Sequence, residues 1–287
     1  MNQNLHSTAG AELVQALPEL TQPYALGAEE IASFRRDGHV YLRGLCSSEE
    51  ISAYTPEIEA AARARNRETR PLAERDTYGK AFLQTLNLRQ NSAAVIQFVT
   101  AKRFARVAAE LMGVRAVRIF HEQALFKEPG GGRTPWHQDQ YYWPLDTANT
   151  VGLWMPLVDV SAECGALLHA SGSHRMGLLD QLNISDQSDE VFRKHIEAQG
   201  FPVVTNTMRA GDATFHYGWT LHAALPNNSK QMRKAMVVTY YDADARVGVP
   251  QNAHQENDRK VFLGGIAPGE LANGPLNPVL YDANDAR

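Results

Sequence analysis

From residue 114 onward the chain reads as one short β-strand after another, and this limits its fold more than any other feature. Apolar, β-branched and aromatic residues gather at Val117–Phe126, Val151–Val160, Ala166–His169, Pro202–Thr207, Ala213–His216, Thr220–Leu225 and Lys234–Tyr241. Turn residues close these runs: Gly130-Gly131-Gly132, Gly165, Gly172, Gly211-Asp212 and Pro226-Asn227-Asn228. Many short strands bounded by turns fit a β-sandwich or jelly roll. A parallel sheet would need a helix between successive strands, and only Asp186–His195 offers one.

The first part of the chain has a different texture. Ala28–Asp37 has helical spacing, with Ile31 and Phe34 on one face and Gly38 as its stop. His39–Leu42 reads as a short strand. Ser47 or Ser48 followed by Glu49-Glu50 resembles an N-cap with an acidic first turn. That helix should run to about Ala62, with Pro56 expected to kink or split it. Residues 63–80 read as loop, Ser92–Met112 as one helix stopped by Gly113, and the tail from Pro250 as loop-rich. The expectation is a mainly β protein with flanking helices. Residues 1–27 form a loose N-terminal arm, and 28–287 form a single jelly-roll domain with an N-terminal helical flank.

Composition narrows the function. A net charge of −4 offers no basic excess for nucleic acid. Cys46 and Cys164 are too few for a disulfide framework. No apolar run approaches the ~20 residues of a spanning helix, and Met1–Ala16 lacks a secretory pattern. A soluble, cytoplasmic protein acting on a small molecule is expected, with oligomeric state open.

The chemistry-bearing signal is His137-Gln138-Asp139. In a strand, residues two apart point to one face, so this imidazole and carboxylate would converge. A third donor, His222, follows 83 residues after Asp139 on another strand-like run. Two histidines and one carboxylate make the facial set that holds non-haem Fe(II) with positions left open. A His-x-Asp by itself carries little weight; it equally describes a surface strand with two polar residues in solvent. Arg233, eleven residues past His222, heads an apolar strand. A guanidinium entering a β-core needs a carboxylate partner, which a dicarboxylic co-substrate would supply. A solvated strand end beside Lys230 and Lys234 is the plainer reading of Arg233.

Taken in order, these residues resemble the phytanoyl-CoA dioxygenase family of Fe(II)/2-oxoglutarate-dependent oxygenases. The resemblance covers about 28–245. It rests on Glu29-Glu30-Ile31, Phe34 and Gly38-His39-Val40; on His137-Gln138-Asp139; on Gly165-Ala166-Leu167 and Gly172-Ser173-His174-Arg175; and on Ala210-Gly211-Asp212, Phe215-His216, Leu221-His222, Asn227, Ser229 and Arg233. It implies a double-stranded β-helix, the cupin-like jelly roll. It implies His137, Asp139 and His222 as ligands of Fe(II), and Arg233 as partner of the distal carboxylate of 2-oxoglutarate. Gln123 and Trp154 align with positions lining the co-substrate pocket. The implied reaction uses O2 to hydroxylate or otherwise oxidise an unactivated C–H bond, with succinate and CO2 as co-products. The sequence departs from the family pattern at Cys164, Ser171 and Ala223-Ala224. Where Ala224 stands, the family often has a serine that helps hold 2-oxoglutarate; that contact is missing here, and a Thr or Tyr from another strand is the candidate to replace it. Because Asp139 is kept, the chloride site of related halogenases is absent.

Other residues receive lesser roles. Tyr141, Tyr142 and Trp143 could wall the substrate or serve as ordinary packing. His216 reads as structural or as a support to the iron ligands, and His174 as a hydrogen-bonding residue. His6, His39, His121, His169, His195 and His254 show no ligand spacing. Gly130-Gly131-Gly132-Arg133 is no phosphate loop, lacking the Lys-Ser/Thr ending, and should be a flexible loop by the mouth. Two other classes share the barrel: a cupin-like metalloenzyme that needs no 2-oxoglutarate, and a binding module without catalysis.

Overall fold

A computed structural model of the chain describes residues 16–286. The helices are α1 (Ala28–Asp37), α2 (Ser48–Arg65), α3 (Thr77–Ala81), α4 (Ala93–Val99), α5 (Lys102–Met112), α6 (Asp186–Gln199) and α7 (Ala253–Val261). The strands are β1 (His39–Leu42), β2 (Leu83–Leu86), β3 (Ala116–Lys127), β4 (Thr134–His137), β5 (Thr150–Pro156), β6 (Leu167–Ala170), β7 (Val203–Thr205), β8 (Ala213–Tyr217), β9 (His222–Ala224), β10 (Arg233–Asp242) and β11 (Val279–Asp282). A seven-stranded antiparallel sheet runs β1-β8-β5-β10-β3-β11, with β2 also on β3. A four-stranded antiparallel sheet runs β4-β9-β6-β7. The two sheets form an open jelly roll with helical flanks, as the strand-and-turn pattern predicts.

Strand alternation divides the large sheet into two faces. Val151, Leu153 and Met155 of β5 and Met236, Val238 and Tyr240 of β10 face one way. They join Ile51, Tyr54, Phe98, Phe104 and Leu111 of α2, α4 and α5 in the main core. The alternate residues Trp154 and Val237 face the small sheet and line a cavity between the sheets. A bulge interrupts β3: Val238 pairs with Glu122 but Tyr240 with Ile119, so Phe120 and His121 together oppose Thr239. Both rings then reach Trp143 and Phe262 at the cavity's mouth. No helix among the described residues is long and apolar enough to cross a membrane.

Several local expectations are corrected. Ser92–Met112 is two helices, because Thr100 and Ala101 break it: the Thr100 hydroxyl turns back to Ile96 O at 2.7 Å, and Ala101 opens the next helix. Pro56 lies inside a continuous α2, whose start Ser47 and Glu50 fix as a capping box. The segment 63–80 contains a 3₁₀ turn and α3. The tail holds α7 and the sheet strand β11. Residues 16–27 are fastened rather than loose. Leu20 is buried, the Tyr54 hydroxyl donates to Pro18 O at 2.7 Å, and Arg103 Nε donates to Gln22 O at 2.7 Å. The rest of the expected arm, 1–15, lies outside the described residues. The Gly130–Gly132 loop is pinned through Gly130 N to Asn227 O and Gly132 N to Lys80 O, both at 2.8 Å. Cys46 and Cys164 are free and buried.

Candidate active site

The small sheet delivers both histidines. His137 ends β4 and His222 begins β9, and the two are direct cross-strand partners. Their ring centroids lie 4.0 Å apart. Asp139 opens a 3₁₀ turn rather than continuing β4. The two-residue alternation nevertheless holds, because Gln138 keeps an extended backbone (φ −121°, ψ 121°). Gln138 therefore points elsewhere, donating to Gly177 O and Trp219 O at 2.8 Å each and accepting from Leu179 N. Asp139 Oδ1 comes 3.4 Å from His137 Nε2 and 3.7 Å from His222 Nε2. One ligand atom from each of the three residues lies within 4.8 Å of the others.

The turn carrying Asp139 is set by a close approach at Gly218. A Cβ there would fall 2.5 Å from Gln140 Oε1 and Thr150 Oγ1 and 2.7 Å from the Trp143 ring. Only a bare backbone lets Gln140 N donate to Gly218 O at 2.9 Å. His137 Nδ1 lies 2.8 Å from Pro135 O and His222 Nδ1 lies 3.1 Å from Thr220 O. A carbonyl can only accept, so each Nδ1 carries the proton and each Nε2 offers its lone pair to the centre. Burial, then the neighbouring His137, holds His222 well below the ordinary histidine range. Burial alone would raise the Asp139 carboxyl, but its setting among His222, His137 and His216 outweighs it and holds the group well below the ordinary aspartate range. Two neutral imidazoles and a carboxylate are the donor set a divalent ion needs.

His216 stands behind this set, with Nε2 3.4 Å from Asp139 Oδ2. Gly152 on the neighbouring strand leaves room for its ring, since a Cβ there would lie 3.1 Å from His216 Nε2. His169 follows at 5.3 Å from His216, stacked on His39 at 4.7 Å. Sequence spacing could not reveal this row, because its members come from three separate strands. His174 bonds Arg35 O at 3.2 Å, as a hydrogen-bonding residue should.

A cavity of about 520 Å³ contains His137, Asp139 and His222 in its wall. Arg233 lies in the same wall, 1% exposed, and forms no ion pair among the described residues. Its Nη1 donates to Gly165 O at 3.0 Å, its Nε has no partner, and its Cζ sits 5.4 Å from the Trp154 ring centroid. Burial pushes it down to about 10, so it is still a cation at neutral pH. The solvated alternative for Arg233 is thereby excluded. Trp154 is buried beside it, with its indole N–H unpartnered. Gln123 lines the same cavity and accepts from Gln84 Nε2 at 2.5 Å. Two residues here escaped the sequence reading. Lys127 is fully buried, bonded to Gly132 O. Thr134 is the cross-strand partner of Ala224 and lines the cavity, so it presents a hydroxyl beside the position where the serine is missing.

Toward solvent, the wall includes Tyr142 and Trp143, while Tyr141 packs outside it. Tyr78 and Phe82 of the α3 region and Phe262 beyond α7 complete an aromatic rim. Those two segments read as loop in the sequence because neither carries enough apolar periodicity to mark a helix.

Antiparallel sheets enclosing two histidines and one carboxylate define the class of mononuclear non-haem iron oxygenases built on a double-stranded β-helix. Within that class, the family model for phytanoyl-CoA dioxygenase (PhyH) matches residues 34–235, and the chain belongs to this family of dioxygenases. The chain is similar to a probable alpha-ketoglutarate-dependent hypophosphite dioxygenase of Stutzerimonas stutzeri, with 22% identity over 76% of this chain and 79% of that protein. Among solved structures it resembles the non-heme alpha ketoglutarate dependent carbocyclase SnoK from nogalamycin biosynthesis, at 25% identity and a TM-score of 0.74, covering 91% of this chain and 100% of that one. It also resembles the epimerase SnoN in complex with Fe3+, alpha ketoglutarate and nogalamycin RO, at 25% identity and a TM-score of 0.72, covering 88% and 98%.

Proposed function

We propose that residues 28–287 form one jelly-roll oxygenase domain that oxidises a C–H bond of a small-molecule metabolite, in the first instance by hydroxylation, using Fe(II), 2-oxoglutarate and O2. The observation that carries this reading is Arg233: a buried guanidinium without a carboxylate partner among the described residues, in the wall of the cavity that also holds two histidines and an aspartate. An unpaired buried charge is costly, and a dicarboxylic acid reaching from the metal site to Arg233 would compensate it. A cupin-like enzyme without co-substrate has no use for this arginine, and a binding module has no use for the oriented histidines.

His137, Asp139 and His222 would hold Fe(II), their Nε2 and carboxylate atoms already turned to one point. When bound, the iron would activate O2, which is the oxidant, while 2-oxoglutarate would be oxidised to succinate and CO2 and so supply two of the electrons. The chain's own part is positional. Pro135 O and Thr220 O fix the histidine tautomers, His216 steadies the second oxygen of Asp139, and Arg233 with Thr134 receives the far carboxylate. Trp154 and Val237 keep that end dry, which strengthens the arginine–carboxylate pair.

Anaerobic titration with Fe(II) and then 2-oxoglutarate tests the proposal. A visible metal-to-ligand charge-transfer band is expected in the wild type. It should vanish in His137→Ala. In Arg233→Ala it should demand roughly 30-fold more 2-oxoglutarate or worse, the cost of removing one partner from a buried charge pair. A wild type that binds Fe(II) but gives no band with 2-oxoglutarate would falsify the proposal.

A further inference from the structure

The cavity divides chemically into an inner end around Arg233 and an outer chamber, and the outer chamber has a charge character of its own. Arg233 is the only lysine or arginine among the described residues lining the cavity. The oxygenase reading assigns it to the co-substrate. His121, which lines the chamber, is pushed down to about 4 by burial and is neutral. The lining also carries the acids Asp76 and Asp258.

One acid stands out. His254, Asp258 and Phe262 lie at intervals of four, so they share a face of α7 and its end, and all three line the chamber. Phe262 anchors that face, with its ring centroid 4.9 Å from His121 and 5.5 Å from Phe120. His254 closes the other side at 5.2 Å from Tyr142. Between them sits Asp258, whose carboxylate forms no ion pair among the described residues. Its one side-chain hydrogen bond among the described residues is accepted from Asn257 Nδ2 at 3.3 Å. Its neighbours Arg259 and Lys260 are both committed to Glu256. Burial pushes Asp258 up to about 7. A carboxylate with so little compensation gains most from a ligand that donates to it.

We propose that the outer chamber takes a ring-bearing substrate, uncharged or cationic, which stacks on the Tyr142, Trp143 and Phe262 walls and presents an amine or hydroxyl hydrogen to Asp258. The same chamber discriminates against substrates recognised through an anion. Among the described lining residues a phosphorus oxyanion or a carboxylate would find no free lysine or arginine, and the phosphates of a CoA thioester would find no basic cluster. This inference rests on the oxygenase reading for the direction in which substrate enters, and adds the class of substrate to it.

The test uses three indole probes of matched size: tryptamine, indole-3-ethanol and indole-3-propionate. Their binding to the Fe(II)- and 2-oxoglutarate-loaded protein is measured without O2, by calorimetry and by the shift of the charge-transfer band. The amine should bind about tenfold or more tightly than the acid, the equivalent of one charge-assisted hydrogen bond. The alcohol should fall between them. In Asp258→Asn the amine-over-acid ratio should collapse toward one, while the band itself persists, which also reports an intact fold. In Asp258→Lys the acid should become the preferred probe. The inference is overturned if the acid binds as well as the amine in the wild type, if Asp258→Asn keeps the preference, or if neither the amine nor the alcohol binds. Loss of the band in the wild type would instead count against the oxygenase reading.

Discussion

Lys127 shows how far the site departs from the rules of an ordinary core. It is fully buried on β3, directly across the strand pair from Arg233. Burial, and then the charge of Arg233, pushes it down to about 6. The fold thus prefers the neutral amine, and folding releases a proton. Between about pH 6 and the ordinary lysine value near 10.4, the unfolded chain holds one proton more than the folded one. Stability contributed by this residue therefore rises with pH through that window, by up to ~1.4 kcal/mol per pH unit, and is flat below it. Lys127→Met should remove that slope, and should be no less stable than wild type at pH 7, since the buried amine carries a desolvation cost that a thioether does not. Urea unfolding of both proteins from pH 6.5 to 9 reads the difference directly. Parallel stability curves would show that Lys127 is not the group that titrates. Residues of this kind are invisible in a sequence. Lys127 closes the apolar run Val117–Phe126 as Arg233 heads another, and nothing in the chain itself shows that either strand end is buried.

At the scale of elements, legibility followed periodicity. The strands β5, β8 and β10 and the helix α1 were readable because each is long or patterned enough to declare its buried face. The short strands β2 and β11 carry too few residues to alternate visibly, and they exist because β3 has length to spare for two partners. The pair His137 and Asp139 was read through strand parity. It converges for a slightly different reason, an extended Gln138 joining a strand end to a 3₁₀ turn. The least legible element is α7, which has no fully buried residue of its own. It is tied down by polar contacts instead. Gln255 Nε2 and Asn252 Nδ2 both donate to Tyr141 O, at 3.0 and 3.3 Å. Asn252 also caps the helix, accepting from Gln255 N at 2.9 Å. Gln255→Ala removes that tie, together with the exposed bond its Oε1 accepts from Gln251 N, and leaves the cap. Loss of the tie to Tyr141 O, worth about 1 kcal/mol, should speed amide exchange across α7 at least about fivefold. Titration with 2-oxoglutarate should be unchanged, because the inner end of the cavity touches none of these residues. Unchanged exchange would mean that Phe262 and its aromatic neighbours hold the helix alone.

For the whole molecule, the consequence of the architecture is that its two sheets meet across a partly polar cavity rather than a dry core. Gln123, Trp154 and Arg233 enter from the large sheet, and His137, His222 and Ala224 from the small one. The buried indole N–H of Trp154 and Nε of Arg233 are left without protein partners, so part of the cohesion between the sheets is left to what binds there. A ligand that binds the folded state alone stabilises it by about 2.7 kcal/mol at a hundredfold excess over its Kd. For a chain of this length that corresponds to a rise of roughly 4–5 °C in Tm. Anaerobic Fe(II) should raise the Tm of chelator-treated protein, and 2-oxoglutarate should add a second increment of similar size once the metal is present. Succinate, which has lost the keto acid that chelates, should add much less. His137→Ala should lose the metal increment, and Arg233→Ala should keep it but lose the second. If 2-oxoglutarate gave its full increment in His137→Ala, the two ends of the cavity would be binding independently, and a single dicarboxylic acid could not be what joins the sheets.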